Sequence, residues 1–439
     1  MESIKTTKTA LFLPSYLGGG FGHIARCIAL AQAFDRRGGR SIFAMNGPHL
    51  KAVAEAGFNV HVLSIPTVVQ GQASGPAYIY VPGMAYQIVR DGFDNQSRVK
   101  GALNELVKII EKTMPDILIS DGYPITWMAG KKTGIPVVQF VKSVVHPMAK
   151  RMVWWEEDPQ GMIVPDVRPV FNPVLEHLGL PQITRGAEEL LQGDLLIIPS
   201  IPVLDPMDPV PPNTHYVGPI VRSNDGTRSM PEWFSSLSND KPVVFVTVGG
   251  AAGHGGSSQF FDVVLEAFRD SNFQIVVSTG GKIDPEVFGS VPDHIRMVRW
   301  VPGTEMIARS DLVVFHGGYT RMEVLMQGLP SVVIPFHSEQ EYYGRVMEKA
   351  GVAVVVHYSN EPYQRFLRHW KGGNRWMKSN DFTIHVRPRI TMQPEALRAA
   401  INQCLNNETI KLRTQTLQKE LASYEVCDKA IDLIKSRLP

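Results

Sequence analysis

The residues best suited to chemistry fall into two groups far apart in the chain. The first is centred on His23, which follows the run Leu17-Gly18-Gly19-Gly20-Phe21-Gly22 between a strand-like and a helical stretch. A histidine on a glycine-rich loop at a helix start faces a crevice and titrates near neutral pH. It therefore suits removal of a proton from a hydroxyl. A base of this kind needs an orienting carboxylate. Asp121 follows the strand-like run Ile117–Ser120 and is placed to supply one. The structural alternatives are a phosphate-positioning histidine and an aspartate that only caps a βα turn.

The second group runs from His316 to Gln340. His316-Gly317-Gly318-Tyr319 leads into Thr320-Arg321-Met322-Glu323, and Phe336-His337 leads into Ser338-Glu339-Gln340-Glu341. Thr320/Glu323 and Ser338/Glu341 both have capping-box spacing, which predicts two helix starts. Gly328 is expected to stop the first helix. A helix amino terminus at a strand's carboxyl end favours phosphate, and glycines let the backbone approach closely. Glu339 and Gln340 offer a carboxylate and an amide, the groups suited to sugar hydroxyls. Glu323 and Glu341 alone read as caps, and His316 alone as a buried histidine. Their joint order points to a site for a nucleotide-sugar donor.

The elements that must position these residues alternate as βα units with parallel sheets do. Strands are expected at Thr9–Pro14, Ser41–Met45, Ile117–Ser120 and Pro136–Phe140, with a helix over Ile24–Arg37. Asp194–Pro199 reads as the last strand of a first lobe. Eight prolines lie between Pro199 and Pro231, which is linker composition. Alternation resumes at Pro242–Val248 and continues through Gln274–Ser278, Asp311–His316 and Ser331–Pro335. The expected division is a first lobe over 1–222, a linker over 223–240, a second lobe over 241–405 and a helical tail over 406–439 that packs back on the first lobe. Within the second lobe, residues 364–389 break the rhythm. Arg365, Arg368, Lys371, Arg375, Lys378, Arg387 and Arg389 stand there against Asp381, with Phe366, Trp370, Trp376 and Phe382 interleaved. This insert reads first as a solvated surface excursion, second as an acceptor-side or membrane-facing flap.

Composition narrows the class. The 439 residues are 44% hydrophobic and 20% charged, normal for a soluble globular protein. A net charge of +2 argues against a nucleic-acid binder. Three cysteines make no disulfide framework or CxxC pair, which fits a reducing cytoplasm. No signal peptide or membrane span is expected, although peripheral membrane contact stays open. Gly20-x-Gly22-x-x-Ala25 fits a relaxed dinucleotide pattern, but the second strand ends in Asn46-Gly47-Pro48 without the acid that would hold a ribose. A nicotinamide enzyme is therefore set aside. No Asp-x-Asp pair occurs, so no essential metal or other cofactor is expected beyond the donor itself.

The stretch Phe315–Leu325, with Gly328-Leu329-Pro330, Pro335 and Glu339-Gln340, resembles the donor signature of UDP-glycosyltransferases. It is also similar to the lipid-linked GlcNAc transferase of peptidoglycan synthesis. Arg299-Trp300-Val301-Pro302 resembles the start of that signature, with Gly303 where glutamine is usual. Tyr216-Val217-Gly218-Pro219 resembles an interdomain segment, and Thr247-Val248-Gly249-Gly250 stands where the family has a turn near the phosphates. The resemblance implies a GT-B fold: two Rossmann-like parallel-sheet lobes facing each other across a cleft. It implies that Trp300 and Val301 hold the base, and that Glu323 holds the ribose. The diphosphate would lie on His316, Gly317, Gly318, Tyr319 and Thr320, with Gly22, Thr247, Gly249 and Gly250 nearby. Glu339 and Gln340 would hold the sugar, and His23 with Asp121 would act as base and support. The implied activity is inverting transfer of a hexose-type sugar from a nucleotide donor, expected to be UDP-linked, to a small hydrophobic or aromatic acceptor. Rival expectations are a nucleotide-sugar hydrolase or epimerase, and a non-catalytic subunit of the same fold. For the acceptor, Tyr78, Tyr80, Met84, Tyr86, Met148, Trp154 and Trp155 are candidate pocket residues.

Overall fold

The computed structural model describes residues 7–17, 20–64, 77–149, 158–221, 229–249, 258–281, 283–370, 380–424 and 426–438. Gly250, Trp154 and Trp155 lie outside them. The first eight strands are β1 (Thr9–Pro14), β2 (Arg40–Met45), β3 (Asn59–Val62), β4 (Tyr78–Tyr80), β5 (Ile117–Asp121), β6 (Val137–Phe140), β7 (Leu195–Ile198) and β8 (Thr214–Tyr216). All but β4 form one parallel sheet in the order β3-β2-β1-β5-β6-β7-β8. Its central strands are near-continuous apolar runs, as strands covered on both faces must be.

The second lobe contributes β9 (Val243–Thr247), β10 (Gln274–Ser278), β11 (Ile295–Val298), β12 (Leu312–Phe315), β13 (Ser331–Val333) and β14 (Ala353–Val355). They form a second parallel sheet, β11-β10-β9-β12-β13-β14. In each sheet the winding reverses once, between β1 and β5 and between β9 and β12. Open parallel sheets bind ligands outside the carboxyl ends of the strands at such a reversal. His23 and Asp121 come from the first reversal, and Thr247 and His316 from the second.

Two expectations about the connecting regions need correction. Asp194–Pro199 is not the last strand of the first lobe, because β8 in the proline-rich section pairs with β7 and extends the first sheet within the expected bounds of that lobe. The insert is not a plain surface excursion either. β15 (Gln364–Trp370) and β16 (Asn380–Arg387) form an antiparallel hairpin, and β16 pairs with β4 of the first lobe. Phe382 joins the first lobe's core, whereas Phe366 and Leu367 of β15 remain exposed. The β4 segment is tied to the second lobe a second time. Ile79 N donates to the Phe336 carbonyl, and Tyr78 OH donates to Glu341 Oε2 at 2.6 Å.

At the carboxyl end, the helix Glu408–Ala422 packs Leu417 and Leu421 against the second lobe. The helix Val426–Lys435 buries Ala430, Ile431 and Ile434 in the core of the first lobe. Among the described residues no helix is long and apolar enough to cross a membrane.

Candidate active site

The helix Gly22–Arg36 opens directly after β1, so His23 sits in its first turn. Asp121 is the last residue of β5, whose register puts it opposite Pro14 of β1. Gly122 then turns the chain at a φ of +79°, and a Cβ there would meet His23 Cε1 at 3.6 Å. These constraints bring His23 Nδ1 to 2.7 Å from Asp121 Oδ1. Asp121 is 3% exposed. Burial opposes its charge, but the Arg26 guanidinium and then His23 outweigh it and hold the carboxyl well below the usual carboxylate range. Arg26, which sequence reasoning did not single out, donates Nε–H to Asp121 Oδ2 at 2.7 Å and Nη2–H to Oδ1 at 3.0 Å. Its signal was present: it lies three residues after His23, on the same helix face.

Across the cleft, His316 is buried between two close-packed glycines. A Cβ on Gly249 would lie 2.6 Å from His316 Cε1, and a Cβ on Gly318 would collide with His316 Nε2. Gly249 and Gly317 also have φ of +69° and +90°, which side-chain-bearing residues resist. Thr247 Oγ1 accepts from Gly249 N at 3.1 Å, fixing this turn. Trp300 is 64% exposed at the rim, whereas its neighbour Val301 is buried at 3%. Glu323 is half-buried on the helix Thr320–Met326.

Neither expected capping box forms. Tyr319 stands at the cap of the helix Thr320–Met326 in a helical conformation, without a side-chain cap bond, so Thr320 is already in the first turn. Tyr319 OH instead donates to the Pro199 carbonyl at 3.0 Å and accepts from Ile220 N at 2.9 Å. The helix Ser338–Lys349 is capped by His337, whose side chain accepts from Gln340 N. Ser338 and Glu341 are taken by the other lobe: Ser338 Oγ bonds the Val81 backbone, and Glu341 accepts from Tyr78. The helix stop at Gly328 does form, with a φ of +68°.

Glu339 and Gln340 occupy different environments. Glu339 forms an ion pair with Lys142, which follows β6 in the first lobe. Burial opposes the charge of Glu339, but Lys142 and then His337 hold its carboxyl down at about 2. Gln340 is 7% exposed, and its amide oxygen accepts from Phe336 N at 2.9 Å, which fixes the orientation of the amide. The acceptor candidates also divide. Tyr78, Tyr80 and Met84 are buried, the two tyrosines in the joint between the lobes, and are closed to an acceptor. Tyr86 OH is bonded to the Thr383 carbonyl, and Met148 is exposed.

Two facing Rossmann-like lobes, each with its reversal point turned to functional side chains, define the GT-B fold. The comparisons agree. Residues 243–366 match the glycosyltransferase family 28 C-terminal domain. A PGL/p-HBAD biosynthesis glycosyltransferase of Mycobacterium tuberculosis is 26% identical over 269 residues, and the match spans 57% of this chain and 60% of that protein. The NDP-glycosyltransferase YjiC of Bacillus licheniformis is 24% identical over 437 residues, 95% of each chain. Among solved structures, the glycotransferase of kitacinnamycin aligns with a TM-score of 0.69 at 20% identity over 99% of both chains. The spinosyn rhamnosyltransferase SpnG, complexed with thymidine diphosphate, aligns with a TM-score of 0.65 at 17% identity over 98% of this chain and 100% of SpnG. The chain thus shares the GT-B fold of these structures, and residues 243–366 of its second lobe match the glycosyltransferase family 28 C-terminal domain.

Proposed function

We propose that this protein transfers a hexose-type sugar, with inversion, from a nucleotide diphospho-sugar to a hydroxyl of a small hydrophobic or aromatic natural-product-like acceptor. The observation that carries the proposal is the 2.7 Å contact between His23 and Asp121 at the reversal point of the first sheet. With Nδ1–H donated to Asp121, Nε2 is the free base and takes the acceptor's proton. The acceptor oxygen then bonds the anomeric carbon, and the nucleotide diphosphate leaves with the electrons of the broken C–O bond. Trp300 offers a face for the base and Val301 backs it, while Glu323 faces the ribose. The N–H groups around Gly22, Thr247, Gly249, His316–Thr320 and the adjacent Gly250 bind the diphosphate, replacing a metal in this role. Glu339 and Gln340 bind the sugar.

Uridine is the proposed base, and the reaction is placed in the cytoplasm, which suits the free thiols of Cys27, Cys404 and Cys427. A thymidine donor is the second reading, supported by the bound thymidine diphosphate in SpnG. A panel of UDP- and TDP-sugars with phenolic and macrolide-like acceptors tests the proposal by release of nucleotide diphosphate. Release that depends on acceptor and yields a glycoside supports transfer. Release of free sugar without acceptor identifies a hydrolase instead.

A further inference from the structure

We propose that Arg26 is a positioning residue that lets Asp121 orient His23 without trapping it as imidazolium, and that it couples this dyad to the donor loop through Tyr319. The inference rests on His23 being the base. Arg26 is 4% exposed and forks onto both Asp121 oxygens, at 2.7 and 3.0 Å. The oxygen Oδ1 is shared, since His23 Nδ1 lies 2.7 Å from it on another side. A buried carboxylate facing a histidine stabilises the imidazolium, and the protonated fraction of the ring takes no proton from an acceptor. A fixed guanidinium on the same carboxylate cancels much of that field while leaving the Nδ1–H···Oδ1 bond intact. Arg26 Nη2 also lies 3.1 Å from His23 Nδ1, so its own charge directly disfavours the imidazolium. The other charges that bear on His23 are Asp91, and Glu339 in its pair with Lys142.

The guanidinium is held from the second lobe as well. Its carbon lies 4.2 Å from the centroid of the Tyr319 ring, a cation–π contact across the cleft. Tyr319 stands between Gly318 and the helix Thr320–Met326, and its hydroxyl is fixed by Pro199 and Ile220. A shift of the His316–Thr320 loop therefore moves the ring on which Arg26 rests. Arg26 touches no reacting atom in this scheme; it acts through Asp121 and His23.

The experiment compares Arg26→Met, Arg26→Lys and Tyr319→Leu with the unaltered full chain, using pH profiles of kcat/KM and the NMR titration of the His23 Cε1–H signal. Arg26→Met is expected to move the acid limb and the His23 midpoint upward by about one pH unit or more. Its rate at neutral pH should fall about tenfold or more and recover partly toward pH ~9. Arg26→Lys keeps the charge but not the fork, so it should restore the acid limb while kcat stays reduced. Tyr319→Leu should raise donor KM and lower kcat together. A folded Arg26→Met with the original pH profile and His23 midpoint overturns the inference. If Arg26→Met does not fold, Arg26→Lys with unaltered kcat overturns it instead. His23→Ala separates the two levels: retained activity there removes the base assignment itself, whereas an inactive His23→Ala beside unaffected Arg26 variants removes only the role of Arg26.

Discussion

Asp121→Asn tests the centre of the site, because two large effects should appear together. In the native protein this buried carboxylate serves His23 at 2.7 Å and the Arg26 fork at 2.7 and 3.0 Å. An asparagine keeps the shape but removes the charge. His23 then loses its oriented partner, and general-base catalysis is worth about 10² to 10⁴ in rate, or roughly 3–5 kcal/mol of barrier. Arg26 meanwhile becomes a buried cation facing a neutral amide. Breaking one side of a buried pair costs about 3–5 kcal/mol of stability. For a lobe of this size that predicts a Tm lower by about 6–20 °C. Because the native carboxyl titrates well below its ordinary range, its stabilisation is complete above roughly pH 4 and is lost as pH falls through the folded-state value. Asp121→Asn should therefore lose most stability at neutral pH and converge with wild type in strong acid. Differential scanning calorimetry across pH gives the stability. Initial rates at a temperature where both proteins are folded give the catalysis. A kcat within about threefold of wild type, beside an unchanged neutral Tm, would refute the reasoning.

Other expectations concern separate parts of the molecule. Trp300→Ala should raise donor KM about tenfold with little change in kcat, since stacking on a base contributes about 1–3 kcal/mol; an unchanged KM in steady-state kinetics contradicts the base platform. Gly249→Ala puts a Cβ within 2.6 Å of His316 Cε1 at a φ of +69°, so donor affinity by calorimetry should fall at least about tenfold, and native affinity would deny that this turn borders the donor. His146 is buried and neutral: its Nδ1 accepts from Met148 N, and Nε2–H donates to Thr214 Oγ1. Burial, then Arg185, lowers its titration to about 4, so the unfolded chain binds the proton first as pH falls. Stability should drop between pH ~6.5 and ~4 by up to about 3 kcal/mol, and His146→Gln should flatten that slope in thermal melts.

The parallel sheets were legible because buried strands such as Thr9–Pro14 and Val243–Thr247 are near-continuous apolar runs, and their order is set by local βα units. The carboxyl-end positions of His23, Asp121 and His316 follow from the same logic. What sequence could not supply is pairing between distant segments. Ser338 and Glu341 have the spacing of a local cap, yet the β4 segment, more than 250 residues away, takes both side chains. Tyr78 and Tyr80 look like pocket aromatics, but in the fold β4 pairs with β16 and Tyr363 packs on both rings. β15 and β16 carry mixed charge and aromatics because one faces solvent while the other joins two lobes. Lys142 gave no sign of its pairing with Glu339, since nothing local connects β6 with the helix Ser338–Lys349.

The most direct test of the proposed chemistry is His23→Ala, assayed for acceptor-dependent release of nucleotide diphosphate beside calorimetric donor binding. The predicted result is a kcat/KM lower by about 10² to 10⁴, with donor Kd within about threefold of wild type. Turnover within about tenfold of wild type, with intact donor binding, would contradict His23 as the base.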